Sequence, residues 1–186
     1  MANLGYAEGR WKLPVWPGDT LRARSEVIGL KQNSNGKTGV VYVRTTGLNQ
    51  HDEEVLEYVR WVMVRKGDVD APAPETVVPE LTNVVDPAAL VIPKGLDFSN
   101  YDFPLAGEPH RWGDYEIGEQ IDHVDGVTVE EAEHMMATRL WQNTAKVHFD
   151  TSARPDGSRL IYGGHVISMA RALSFNGLAN AQMVVG

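Results

Sequence analysis

The chain has 186 residues, 42% of them apolar and 23% charged, which suits a globular protein with one good core or two small ones. A formal net charge of −8 argues against nucleic acid as a partner, because phosphate binding wants a basic field. There is no cysteine, which removes disulfides, thiolate nucleophiles and cysteine-based metal sites.

Residues 1–6 lack the basic and apolar regions of a secretory signal. No window approaches the roughly 18 to 20 uninterrupted apolar residues of a membrane span, so the expectation is a cytoplasmic protein with no membrane partner. Residues 13–66 read as strands. Leu21, Ala23, Ser25 and Val27 alternate with Arg22, Arg24 and Glu26, the period of a sheet. Turn signals at Asn35-Gly36 and near Asn49 divide this region into a three-stranded antiparallel meander. One of its faces needs a cover that no helix in this half supplies.

Residues 67–109 hold seven of the ten prolines and read as a semi-rigid linker. Beyond it, Thr128-Val129-Glu130-Glu131 forms a capping box for a helix ending near Leu140, with Val129, Ala132, Met136 and Leu140 as its apolar face. A second helix is expected from His165 to Gln182, with Arg171 its only Lys, Arg, Asp or Glu. A helix apolar nearly all round is buried on most sides, and this one wants to be wrapped by a sheet. One half thus has strands without a helix, and the other a wrapped-helix sequence without its sheet. The preferred explanation is an internal piece of a longer two-repeat protein; the other is a permuted fold in which the meander covers the helix.

Between the two helices, residues 141–150 read Trp-Gln-Asn-Thr-Ala-Lys-Val-His-Phe-Asp, and Tyr162-Gly163-Gly164-His165 opens the second helix. A positioned histidine near an amide and an acid, followed by a glycine-led helix N-terminus, suits water addition to an activated carbonyl compound. His148 is the candidate base, since imidazole changes charge near neutral pH; half-buried loop capping is its plainer reading. Asn143 either holds the water or orients the imidazole, or else caps the helix C-terminus. Asp150 is a candidate acid or a loop-bonding residue. Gly163 and Gly164 offer free N–H groups to an oxyanion, or simply make a tight turn. His165 lines the pocket or is satisfied by backbone. His110, His123 and His134 are scattered with no paired spacing, so no metal is expected.

Together these residues resemble the MaoC-like hydratases of the hotdog superfamily, in which a curved sheet wraps a long central helix. The family loop is usually Asp-x-Asn-Pro-x-His-x-Asp or Asn, followed by a helix opening on His-Gly. Aligned on His148, the family aspartate falls on Asn143, its asparagine on Ala145, its proline on Lys146, and the histidine before the helix-opening glycine on Gly163. The run 142–150, the segment Tyr162-Gly163-Gly164-His165-Val166-Ile167-Ser168, Arg111-Trp112, residues 121–126 and residues 174–179 are closer to the branch that acts on mesaconyl-CoA.

The resemblance implies an α+β fold built from parts of two hotdog repeats. Residues 1–66 would be rear strands of the first, 67–109 the linker, and 110–186 the front of the second with its catalytic loop and central helix. It further implies a lyase that reversibly hydrates an enoyl-CoA thioester, mesaconyl-CoA first among them, working as a homo-oligomer without a cofactor other than the coenzyme A of its substrate. The catalytic set is then His148, Asn143 and Asp150, and the substrate-binding set Gly163, Gly164, His165, Lys146 and Arg171. Lys146 and Arg171 are the candidates for the second carboxylate of a mesaconyl group, although a solvated loop lysine is the plainer reading of Lys146; Arg154 and Arg159, flanking the turn at Pro155-Asp156-Gly157, are candidates for the coenzyme A phosphates. The alternatives are a hydratase of other acyl specificity, a non-catalytic thioester-binding repeat, or a hotdog thioesterase. The last is disfavoured because 165–182 carries no Asp or Glu.

Overall fold

The alternating segment at 21–27 lies in a strand, and the strands around it form one antiparallel sheet. A computed structural model of the chain describes residues 2–143, 145–181 and 184–186. Thr144 in the 141–150 loop, and Gln182 at the expected end of the last helix, lie outside the described residues. The chain divides into two units: one reaches Asp97 and takes in the C-terminal end at Gly186, and the other begins at Phe98.

The first unit contains β1 (Ala2–Trp11), β2 (Arg22–Gln32), β3 (Thr38–Leu48) and β4 (Glu54–Arg65), ordered β1-β4-β3-β2. The last three make the expected meander. The strand that sequence reading missed is β1, which pairs antiparallel with β4 from Ala2↔Met63 to Trp11↔Leu56. Its pattern is broken by two bulges, and Glu8 in the second takes a left-handed φ of 53°, so apolar and polar residues do not alternate evenly along it.

Side-chain caps set the two hairpin turns. The Asn35 carboxamide oxygen accepts from the N–H of Lys37 and Thr38, beside Gly36 at φ 66°. Asn49 does the same for His51 and Glu53, and the left-handed position there is Asp52. The apolar core of the sheet is centred on Leu48, Val55 and the fully buried Val59. Burying a valine side chain of this kind contributes ~1.5–3 kcal/mol. Charged residues pair across β1, β3 and β4: Arg10 with Glu57, Lys12 with Glu54, and Arg44 with Glu8 at 3.3 Å.

The proline-rich stretch contains no strand or α-helix, only a 3-10 turn at Pro87–Ala89 and one bridge, in which Leu30 and Val77 exchange two backbone hydrogen bonds of 2.8 Å. The bridge covers part of the exposed edge of β2. It also explains Gly29, where a Cβ would sit 2.6 Å from the Val77 carbonyl oxygen.

Among its described residues the second unit has no strand. Its helices are α1 (Glu131–Leu140), α2 (Lys146–Phe149) and α3 (Gly163–Leu173). Three expectations are corrected here. α1 starts after Glu130, with no side-chain cap, so Thr128 does not form a capping box. Its buried face carries His134 and Thr138, while Met136 and Leu140 are over 70% exposed; the apolar stripe does not turn into its own unit. α3 ends at Leu173, and none of its residues is buried, Ile167 being 65% exposed, because its unit provides no sheet to wrap it. The loop that follows is instead fixed by Glu108, whose carboxylate accepts from the N–H of Gly177 and Ala179 at 2.7 and 2.8 Å. Burial opposes ionisation of Glu108, but these bonds and the neighbouring His110 outweigh it and hold its pKa below the ordinary value. Among the described residues no helix is long and apolar enough to cross a membrane.

Candidate active site

The helix at 131–140 ends on Trp141, and Gln142 turns the chain with a left-handed φ of 54°. The left-handed role expected of Asn143 therefore falls one residue earlier. Asn143 donates its backbone N–H to the Thr138 carbonyl at 2.9 Å, and its side-chain oxygen accepts from Ala145 N–H at 3.3 Å. This Asx-type turn launches α2, which carries His148.

His148 is tied down through one nitrogen of its ring. Its Nδ1 lies 2.6 Å from the Leu160 carbonyl oxygen, and Leu160 N–H in turn donates to the Val147 carbonyl at 2.9 Å. A carbonyl can only accept, so Nδ1 carries a proton, and in the neutral ring the lone pair is then on Nε2. No hydrogen bond among the described residues occupies Nε2. That is the form a base needs.

The Asp150 carboxylate is engaged with its own loop. One carboxylate oxygen accepts from the backbone N–H of Ser152 at 2.9 Å and from its hydroxyl at 2.6 Å, closing the 3-10 turn Thr151–Ala153. The Ser152 hydroxyl, and then its N–H, hold the Asp150 pKa below the ordinary carboxylate value. These bonds match the loop-bonding reading of Asp150; its catalytic role belongs to the function proposed below.

Gly163 opens α3 directly behind Tyr162, which caps it without a side-chain bond. The amide N–H groups of Gly163 and Gly164 make none of the described hydrogen bonds, as helix geometry dictates for a first turn. Free N–H groups and the positive end of the helix dipole favour negative charge here. The two glycines differ: a Cβ on Gly163 would meet nothing within 4 Å, whereas one on Gly164 would meet the Tyr162 ring at 2.5 Å. His165 donates its backbone N–H to the Tyr162 carbonyl, while its ring Nε2 is buried with no partner among the described residues.

Sequence reasoning passed over the residue at the centre of this group. His134 of α1 is fully buried, and its ring centroid lies 6.3 Å from those of both His148 and His165. Its Nε2 accepts from Tyr162 N–H at 3.1 Å. Burial first, and then the two neighbouring histidines, push its pKa below the ordinary value. The Tyr162 ring completes the cluster, 6.0 Å from His148. No local signal in the sequence singles out His134, because its burial follows from α1 turning a polar face inward.

The charged candidates separate. Lys146 starts α2 and is exposed. Arg159 pairs with Glu131 at 2.7 Å, joining the start of α1 to the segment before α3, and Arg154 pairs with Asp156 at 3.2 Å. Arg171 donates to the Ala181 carbonyl at 3.2 Å. It lies eight residues after Gly163, about 12 Å along the helix axis, so it does not join the histidine cluster. Among the described residues no group of three or more His, Asp or Glu is arranged to hold a metal ion.

This fold, with its loop histidine and glycine-led helix, is that of the MaoC-like hotdog proteins. The chain superposes along its whole length on 54% of a crystal structure described as a MaoC-domain dehydratase from Chloroflexus aurantiacus, with a TM-score of 0.95 and 60% identity. A Mycobacterium tuberculosis protein with a double hotdog fold follows at a TM-score of 0.59 and 27% identity, matching 96% of the chain and 54% of that protein. No family model matches. Among curated proteins, the chain is 75% identical over 185 residues to the mesaconyl-CoA hydratase of Cereibacter sphaeroides, covering 100% of the chain and 54% of that protein. It is 61% identical over 184 residues to the β-methylmalyl-CoA dehydratase of Chloroflexus aurantiacus, covering 97% of the chain and 52% of the relative. The chain thus spans about half the length of the curated relatives it matches, and the resemblance read from the 141–150 loop and the Tyr162-Gly163-Gly164 helix start is borne out.

Proposed function

We propose that the protein carrying this chain is a hydro-lyase that reversibly adds water across the double bond of an enoyl-CoA thioester, mesaconyl-CoA being the substrate and a β-methylmalyl thioester the product. The single observation that carries the reading is His148 held by the 2.6 Å bond from Nδ1 to Leu160 with its Nε2 unoccupied, in the same unit as the free amides of Gly163 and Gly164. The names of the two curated relatives favour the same substrate pair.

In this mechanism Nε2 of His148 takes a proton from water as the oxygen bonds to the β-carbon. The electrons of the double bond move onto the thioester oxygen, and the glycine N–H groups and helix dipole stabilise the enolate formed there. The enolate then collapses and the α-carbon takes a proton back from His148, so one water is added and the imidazole is restored. Asn143 and Asp150 act by shaping the loop, and the exposed Lys146 meets the second carboxylate of a mesaconyl group. Hydration moves no electrons to or from the substrate, so it needs no redox carrier; coenzyme A enters as part of the substrate. Action as a homo-oligomer belongs to the same proposal.

The test is to incubate the intact protein with mesaconyl-CoA, following enoyl-thioester absorbance and free thiol together. Loss of the enoyl signal without thiol release is the expected result. Thiol release in step with that loss would mean a thioesterase, and substrate binding with neither change would mean a non-catalytic thioester-binding protein.

A further inference from the structure

We propose that His134 is a positioning residue of this site: from α1 it holds, through the backbone N–H of Tyr162, the turn from which the Gly163 and Gly164 amides start α3, with the Tyr162 ring beside His148. The proposal rests on the hydratase reading above and adds a residue to it. Three observations meet on His134. It is the largest fully buried side chain among the described residues, yet it is polar and lies on a helix whose apolar residues face outward. Its Nε2 takes the N–H of Tyr162, the residue that caps α3, at 3.1 Å. Its ring stands 6.3 Å from both His148 and His165, edge-on to the former at 81°.

The chemistry requires that His134 stay neutral. An imidazole whose Nε2 accepts from an amide carries its only proton on Nδ1, and protonating Nε2 would break the bond to Tyr162. The groups facing it are His148 on α2, His165 on α3, Arg159 before α3 and Glu131 on α1, and burial disfavours a charge among them. A neutral His134 also leaves no positive charge beside His148 when that ring takes the proton from water. Losing the acceptor frees the Tyr162 turn, so the glycine amides drift from the thioester oxygen. A displacement of about 1 Å at such a site costs ~100-fold in rate.

Two variants and one spectrum test this in the intact protein. Glutamine places an acceptor where Nε2 sits, whereas leucine fills the space without one. We expect His134→Gln to keep kcat and KM close to the parent, and His134→Leu to lose ~10- to 100-fold in kcat with KM little changed. Equal losses in both variants, or none in His134→Leu, would overturn the proposal. Imidazole nitrogen NMR of the unsubstituted protein near neutral pH reads the same bond without any assay. It should show His134 with a protonated Nδ1 and a bare, hydrogen-bonded Nε2, and a protonated Nε2 overturns the proposal even if His134→Leu fails to fold. If the protein does not hydrate mesaconyl-CoA but the nitrogen signature is present, it is the hydratase reading that fails, and the His134–Tyr162 bond stands.

Discussion

The histidines of the second unit are sorted by what each ring nitrogen touches. His148 has its Nδ1 committed to a carbonyl and its Nε2 left over, whereas His134 has its Nε2 committed to an amide N–H and is sealed from solvent. That burial makes His134 sensitive to acid. Its folded pKa is lowered, so the unfolded chain binds the proton more readily. The stability contribution is therefore fully present above the unfolded value of about 6.5 and declines as pH falls through it toward the folded value. Thermal unfolding measured from about pH 7 down to about pH 5 should show a fall in the parent that is shallower in His134→Gln. Parallel curves would mean that His134 does not titrate on unfolding as described.

At the scale of elements, the start of α3 links packing to chemistry. Gly163 and Gly164 look equivalent in sequence but face different surroundings, one open and one against the Tyr162 ring. Alanine favours a helix over glycine by up to ~1 kcal/mol, so Gly163→Ala should be neutral or slightly stabilising in a melt. Gly164→Ala must push the Tyr162 ring off its place beside His148, and we expect it to lower both the melting temperature and kcat. If Gly164→Ala melted as high as Gly163→Ala, the close approach of Tyr162 would not be a constraint. The sequence made some of these elements legible. Asn35-Gly36 marked a real turn, and the loop ending in His148 and the glycine-led helix were found from their spacing. β1 was missed because its bulges and the left-handed Glu8 break the two-residue period. The helix ends differ from expectation because Thr128 does not cap α1, which starts after Glu130, and because apolar content does not by itself continue a helix, α3 stopping at Leu173. His134 escaped notice because a lone histidine on a helix carries no local pattern; its partners come from residues 14 to 31 positions away.

For the molecule as a whole, the sheet unit and the helical unit have complementary contents, strands in one and the glycine-led helix in the other. The asymmetry seen in the sequence is thus present in the structure. The net charge is −8, and two of the arginines near the histidine cluster are already paired, Arg159 with Glu131 and Arg154 with Asp156. In the proposed mechanism catalysis depends on neutral groups, an imidazole and backbone amides, more than on bulk charge. The most direct measurement is kcat for hydration of mesaconyl-CoA by the intact protein and by its His148→Ala variant, with both shown to be folded. The account predicts a loss of ~100-fold or more for the variant, the contribution of a general base. A folded His148→Ala protein that turns over at the parent rate would contradict it.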